Sequence, residues 1–443
     1  MAATALGASV DIPFQAARPI VAALRPDLLP ADLRGKSVDQ LAMLWPRWVS
    51  MRDAEIRARL EDGDEDSIAN LTLFGTSFTA ERRITELEIS DMAAGKPAPA
   101  VLVARIVAMA DAIAATGDNE RVAFARDIAR RKGFDPRTAA GREQVSRWLA
   151  DRVDRIVDEY RRRAAAKFDP AATPVDEATI FRGRGLSSDT SIFPGFAIEQ
   201  TLDALRSHDL LALRSVRLVA IIGPGLDFAD KEEGHDFYPQ QTLQPFATID
   251  SLLRLGLAAP SGVQVTTLDL SPRVNDHIES AVARARRGTA YVLQLPRDNR
   301  FMWTPFMATY WQQFGDRIGA STAPIAPPDG AGTVQTRAVR IRPEIVRAIT
   351  PLDLDVVLQR LAPMAATQRF DVVIATNILI YYDVFEQSLA LDDIASMLKP
   401  SGFLITNTEL STLPSIPMAL IGYTDVGYTD RPEGDRVFWY QKQ

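Results

Sequence analysis

The sequence contains no cysteine and only three histidines, His208, His235 and His277. The first absence excludes disulfides, thiolate metal sites and cysteine nucleophiles. The histidines show neither H-x-H nor H-x-x-x-H spacing, which argues against a histidine-based metal centre. No apolar run reaches the ~18 residues of a membrane span. Residues 1–24 lack a basic start followed by an apolar block, so no export signal is read there and a cytoplasmic location is expected. Positive charge is also short: 50 Lys and Arg stand against 57 Asp and Glu, a net charge of −7, so no nucleic-acid partner is expected. The densest basic stretch, Arg152, Arg155, Arg161, Arg162, Arg163 and Lys167, is interleaved with Asp151, Asp154, Asp158 and Glu159 and reads as a solvated helix face.

What is present is the composition of an ordinary globular chain, 47% hydrophobic and 24% charged over 443 residues, enough to bury a core without covalent staples. Up to about residue 35, four prolines predict irregular structure. Ser37 and Gln40 have capping-box spacing at the head of a helical pattern over Leu41–Leu60, broken at Pro46. The acidic run from Glu61 to Asp66 reads as an exposed turn, and Asn70–Phe78 as a strand or buried turn. Helices are predicted over Val101–Ala115, Asn119–Lys132 and Gly141–Lys167, and the proline-containing Asp169–Pro174 reads as a linker. A mainly α-helical N-terminal domain, 1–175, is therefore expected.

Beyond it, β-branched runs alternate with helical segments. The runs are Val216–Ile222, Val263–Leu268, Val339–Ile349, Phe370–Ala375 and Phe403–Thr406. The helices are Thr242–Leu255, Pro272–Arg286, Asp353–Leu361 and Phe385–Leu398. Such alternation predicts βαβ units, hence an α/β fold with a doubly wound, mostly parallel sheet over 176–443. An antiparallel hairpin around Asp430–Asp435 would end it. Residues 289–335 read as an insertion whose aromatic residues, Trp303, Phe306, Tyr310, Trp311 and Phe314, have core-like spacing.

Two motifs suit a nucleoside ligand. Val219–Ile222 runs into Gly223-Pro224-Gly225, where glycines let the backbone approach a ligand closely at the carboxyl edge of a parallel sheet. Asp269, followed by Leu270, ends the next strand, where a carboxylate accepts hydrogen bonds from ribose hydroxyls, although it equally suits a helix cap. Residues 226–241 separate the glycine turn from its helix, which removes the helix N-terminus that holds a pyrophosphate and favours a cofactor without phosphates.

A third motif is longer. Phe370-Asp371-Val372-Val373-Ile374-Ala375-Thr376-Asn377-Ile378-Leu379-Ile380-Tyr381-Tyr382 is followed, after a helix, by Leu398-Lys399-Pro400-Ser401-Gly402-Phe403-Leu404. This resembles the fourth and fifth strands of class I (Rossmann-like) S-adenosylmethionine-dependent methyltransferases, with Ser401 in place of a glycine. Within that superfamily, Thr376–Tyr382 is similar to the "RN-V-L-I-Y-F" signature of the chemoreceptor glutamate methyltransferase family. Thr179-Ile180-Phe181-Arg182 is similar to that family's "T-x-F-F-R". The resemblance spans roughly residues 177–440. It departs at the glycine turn, and no part of the N-terminal domain matches.

The resemblance implies S-adenosylmethionine as cofactor. Gly223, Pro224, Gly225 and Leu270 would line it, Asp269 would hold the ribose, and Leu352 and Asp353 would sit near the adenine. Asn377 and Ile378 would lie beside the methionine part, and Arg182 would meet its carboxylate. The polar stretch 234–241 reads as a lid or substrate contact. His235, Tyr238 and Tyr382 are the candidates for a catalytic base. So few bases point to a carboxylate or another pre-ionised acceptor, with a hydroxyl as the other option, on a small molecule or a protein. A non-catalytic binding fold and a nicotinamide-dependent oxidoreductase are the readings from other classes. The second is disfavoured by the missing third glycine of G-x-G-x-x-G.

Overall fold

The computed structural model describes residues 7–167, 184–229, 235–259, 261–298, 302–328, 331–430 and 434–443. Six helices come first: α1 (Phe14–Ala23), α2 (Val38–Phe74), α3 (Glu86–Ala93), α4 (Ala100–Ala114), α5 (Glu120–Arg131) and α6 (Ala139–Lys167). They are followed by α7 (Phe193–Ser207), α8 (Gln244–Arg254), α9 (Pro272–Arg286), α10 (Pro305–Gln313), the short α11 (Pro343–Val346) and α12 (Val384–Met397). The strands are β1 (Ala8–Asp11), β2 (Leu218–Ile222), β3 (Gln264–Asp269), β4 (Tyr291–Asp298), β5 (Gly319–Thr322), β6 (Val334–Ile341), β7 (Ile349–Asp353), β8 (Gln359–Ala362), β9 (Phe370–Ile374), β10 (Leu398–Thr406), β11 (Met418–Gly427) and β12 (Gly434–Lys442).

The central sheet runs β7-β3-β2-β9-β10-β12-β11. Strands β7, β3, β2, β9 and β10 are parallel, and β12 and β11 close the edge as an antiparallel hairpin. Numbering the parallel strands in chain order gives 3-2-1-4-5, so the winding reverses between β2 and β9. The crevice at such a reversal, outside the carboxyl ends of the strands, is where ligands bind in open α/β sheets.

Side chains alternate across β2, with Val219 and Ile221 on one face and Ala220 and Ile222 on the other. The first face carries α7, α8 and α9 through Phe196, Phe246 and Ile278. The second carries α12 together with α1 and the first half of α2, through Phe385, Ile20, Trp45, Trp48 and Ile56. The N-terminal helices thus supply part of the sheet's own cover, and β1 pairs with β8 between Ala8 and Ala362. The second half of α2 joins α3–α6 around a separate core containing Ile68, Leu71, Met109 and Trp148. At 37 residues, α2 is about 55 Å long at 1.5 Å per residue and belongs to both cores. The boundary expected near residue 175 lies outside the described residues, as does the linker 169–174.

Several sequence expectations are corrected. Residues 8–23 form β1 and α1 despite their prolines, because β8 and the sheet face receive them. Helix α2 passes through Pro46, where the burial of Trp45 and Trp48 and the bond from Trp45 Nε1 to the Ile12 carbonyl (2.8 Å) hold a residue that propensity would exclude. The acidic run is helical, and Glu65 is buried: it pairs with Arg152 and Lys132 and accepts from Trp148 Nε1 at 2.9 Å. Arg152 is therefore a buried partner, while Arg155, Arg161 and Arg162 keep the solvated face. Residues 70–74 end the same helix. The run Val339–Ile349 is divided between β6 and β7, separated by α11. The predicted helix Asp353–Leu361 is instead a buried irregular segment leading into β8, since Leu354, Val356, Val357 and Leu358 are all buried and leave no polar face. The insertion is a three-stranded antiparallel sheet, β4-β6-β5, with α10. Four of its five aromatics are core, and Phe306 is exposed.

Candidate functional site

A cavity of about 1660 Å³ opens at the winding reversal. Its floor is the turn after β2, where Gly223 and Gly225 both have left-handed backbone, φ 62° and 65°. Neither position has room for a side chain: a Cβ on Gly223 would overlap Ile378, and one on Gly225 would lie 2.6 Å from the Ser188 carbonyl oxygen. The second contact identifies a strap, residues 184–191, laid across the turn. Leu226 N donates to Ser188 O (2.7 Å) and Thr190 N to Leu226 O (3.0 Å). The strap is seated on α2 by Leu186 N donating to Arg59 O (3.0 Å) and by a crossing at which Gly63 and Gly185 touch backbone to backbone.

Asp269 stands at the tip of β3, lining the cavity at 8% exposure. Its carboxylate accepts from the Ser271 amide (2.7 Å). Burial drives its pKa up to about 7, against the lowering pull of the Ser271 and Gly225 amides. Leu270, next to it, also lines the cavity, as do Leu354 and Val356 beyond β7.

The tip of β9 forms the opposite side. Thr376 Oγ1 accepts from Gln244 Nε2 (2.8 Å) at the head of α8, and Ile378 rests on Gly223. Asn377 has left-handed backbone, φ 60°, and is bonded to Asn407 at the end of β10. Tyr381 and Tyr382 complete this wall. Burial pushes the Tyr382 phenol well above its ordinary pKa of 10, so at neutral pH it is a hydroxyl and not a base. Above the turn the strap contributes Arg184 and Asp189. Arg184 pairs with Glu159 (3.2 Å) and lies 5.9 Å over the Tyr381 ring, and its buried Nε has no partner. Asp189 accepts from Ser67 Oγ (2.9 Å) through one oxygen, while the other is buried and unbonded.

The cavity thus gathers Gly223, Gly225, Asp269, Leu270, Asn377, Ile378 and Tyr382 from the sequence candidates. It does not gather the rest. Pro224 is buried beside the turn. Leu352 packs into the sheet core, and Asp353 points away to pair with Arg57 at 2.7 and 3.0 Å. The strand ends at Asp353, four residues later than Val339–Ile349 implied, and the cavity-lining positions fall just beyond it at Leu354 and Val356. Arg182 lies outside the described residues.

His235 and Tyr238 share a second, buried cavity of about 30 Å³ with Asp227 and Gln294. Tyr238 Oη donates to Asp227 (2.8 Å), and Arg121 binds the Tyr238 and Asp227 carbonyls. Asp236 accepts from the backbone amides of Thr76 (2.7 Å) and Ser77 (3.0 Å) and from both hydroxyls. The described part of this stretch clasps the end of α2. Asp236→Ala is expected to cost about 2–4 kcal/mol in urea unfolding, because buried donors lose their acceptor, with little change in ligand affinity of the folded protein. Unchanged stability would contradict this role.

The sequence reading missed Arg184, Asp189, Gln244 and Asn407. Only Asn407 carried a signal, as a polar residue at the tip of an apolar strand. Among the described residues no His, Asp and Glu cluster suits a metal ion, and no helix is long and apolar enough to cross a membrane.

No protein-family model and no curated protein match the sequence. Solved structures do. TrmN from Thermus thermophilus is 14% identical over 57% of this chain and 52% of its own, with a TM-score of 0.27. Magnesium protoporphyrin IX methyltransferase (ChlM) from Synechocystis PCC 6803, with bound SAM, is 14% identical over 65% and 98%, with a TM-score of 0.25. A possible exported protein from Bordetella parapertussis is 14% identical over 77% and 95%, with a TM-score of 0.27. Superpositions this loose leave fold and site to be read from the chain's own strand order and residues.

Proposed function

We propose that the chain is an S-adenosylmethionine-dependent methyltransferase acting on an oxygen acceptor, a carboxylate before a hydroxyl. The observation that carries this is one juxtaposition: two left-handed glycines and a buried carboxylate, at the winding reversal of a 3-2-1-4-5 sheet. Gly223 and Gly225 let backbone meet ligand, and Asp269 suits a pair of ribose hydroxyls. Leu354 and Val356 offer apolar contact for the adenine. Helix α8 begins at Gln244, well past the turn. The glycine turn therefore does not open a helix directly, as the pyrophosphate-binding turn of a dinucleotide site does, which favours this cofactor over a dinucleotide. Arg184 and Asp189 carry the two charges that an amino-acid end requires.

When bound, the cofactor would supply a methyl group activated by its sulfonium for transfer to the acceptor oxygen. The residues around it have only to align the partners and exclude water. Tyr382 is held protonated and His235 lines the smaller cavity, so an acceptor that brings its own electron pair and has no proton to lose fits best. The cavity exceeds the roughly 300–1,000 Å³ of ordinary ligand pockets, leaving room for an acceptor beside the cofactor.

The Asp269 pKa near 7 gives a sharp test. Ribose hydroxyls donate to the ionised carboxylate, so S-adenosylhomocysteine affinity is expected to rise with pH through about 7. Below that value the gain is roughly tenfold per unit, as a single ionisation requires. Calorimetric titration between pH 5.5 and 8.5 measures it. Affinity independent of pH, or binding of NADH in place of S-adenosylhomocysteine, would overturn the reading.

A further inference from the structure

Asn377 holds a conformation that most side chains avoid, φ 60°. Its neighbour Asn407, on the next strand, grips it twice. The Asn377 backbone N–H donates to Asn407 Oδ1 at 2.7 Å, and Asn407 Nδ2 donates to Asn377 Oδ1. The first bond fixes the second, because a backbone amide can only donate. The Asn407 oxygen must therefore face it, and the Asn407 NH2 is left facing the Asn377 side chain. That side chain must accept, so its carbonyl oxygen is turned towards Asn407. The Asn377 NH2, with its two N–H donors, is then the end of the amide turned away from Asn407, on a residue that lines the cavity.

The cofactor's course says what meets those donors. On the reading above, its nucleoside would lie at the β3 and β7 tips, at Asp269 and Leu354. The remainder would then cross the glycine turn to the β9 tip, where Asn377 lines the cavity.

Building on the cofactor reading above, we propose that Asn407 is a positioning residue. It turns the Asn377 amide so that its NH2, and not its carbonyl, meets a carboxylate oxygen at the cofactor's amino-acid end.

The test compares two probes on the full chain, S-adenosylhomocysteine and 5′-methylthioadenosine, which shares the nucleoside and sulfur but lacks the amino acid. Asn407→Asp still accepts from the Asn377 backbone but cannot donate, so the Asn377 amide inverts and presents its carbonyl. Asn377→Gly keeps the left-handed backbone and removes the amide without adding charge. Both variants are expected to weaken S-adenosylhomocysteine by about tenfold, the scale of one hydrogen bond to a charged group, and to leave 5′-methylthioadenosine unchanged. A merely structural role would lower both probes together. Equal losses, or an unchanged ratio of the two affinities in Asn377→Gly, would overturn the proposal. If the wild-type chain binds neither probe, the cofactor reading itself fails, an outcome distinct from an unchanged ratio.

Discussion

Asp269→Ala is expected to weaken S-adenosylhomocysteine binding by roughly 100-fold or more, two charge-assisted hydrogen bonds being worth about 1.5–3 kcal/mol each. The loss should come without collapse of the fold, and the sign of the pKa shift explains why. The folded carboxyl titrates near 7 against an ordinary 3.8, so folding favours its protonated form. Wild-type stability contributed by this group is present below about pH 4 and is lost as pH rises towards 7. The alanine variant has no such carboxyl to ionise. Its melting temperature is therefore expected to fall less between pH 4 and 7 than the wild type's. Paired melting curves and titrations at pH 8 measure both effects. Retained affinity would remove Asp269 from the site, and a variant that does not fold would make the residue structural.

Gly63→Ala is expected to have the other large effect, through a position some distance from any reacting atom. A Cβ there would overlap the carbonyl of Leu186, and the obstacle is backbone, which cannot turn aside as a side chain can. Either α2 or the strap must shift. Overpacking of this kind costs about 1–3 kcal/mol. The displaced strap would also take Ser188 away from Gly225 and Leu226. Thermal denaturation should show the loss of stability, and titration should show S-adenosylhomocysteine affinity reduced by at least tenfold, or about 1.4 kcal/mol. Gly117→Ala, between α4 and α5, is the control for a glycine of the helical region, since its backbone is not left-handed and its Cβ would meet nothing within 4 Å. Wild-type affinity in Gly63→Ala would mean that the strap does not form the site.

The parallel sheet was legible because buried parallel strands must be short apolar runs, and the helices between them must be amphipathic. The tips of β2, β3 and β9 were legible for a related reason: Gly223, Asp269 and Asn377 break those runs with residues a buried strand would not otherwise hold. The path of α2 was not legible. Pro46 and Glu61–Asp66 look like breaks until Trp45, Trp48, Arg152 and Trp148 are known to surround them, and those partners lie up to about a hundred residues away. The same applies to Asp236 and Tyr238. A polar loop after a glycine turn reads as a lid, but Thr76 and Ser77 hold the Asp236 carboxylate and Arg121 holds the Tyr238 carbonyl from the helical region. Leu352 and Asp353 fell two to three residues short of the cavity-lining Leu354 and Val356, because α11 divides one β-branched run between two sheets and the second strand runs on to Asp353. Asn407 was missed because its role is visible only where β9 and β10 lie side by side.

The most direct measurement is a crystal structure of the full chain grown with saturating S-adenosylhomocysteine. The expected result is one ligand in the large cavity, with ribose hydroxyls on Asp269, adenine against Leu354 and Val356, and the amino-acid end at Asn377. An empty cavity, or a nucleoside lodged elsewhere on the chain, would contradict the assignment of this site as the seat of methyl transfer.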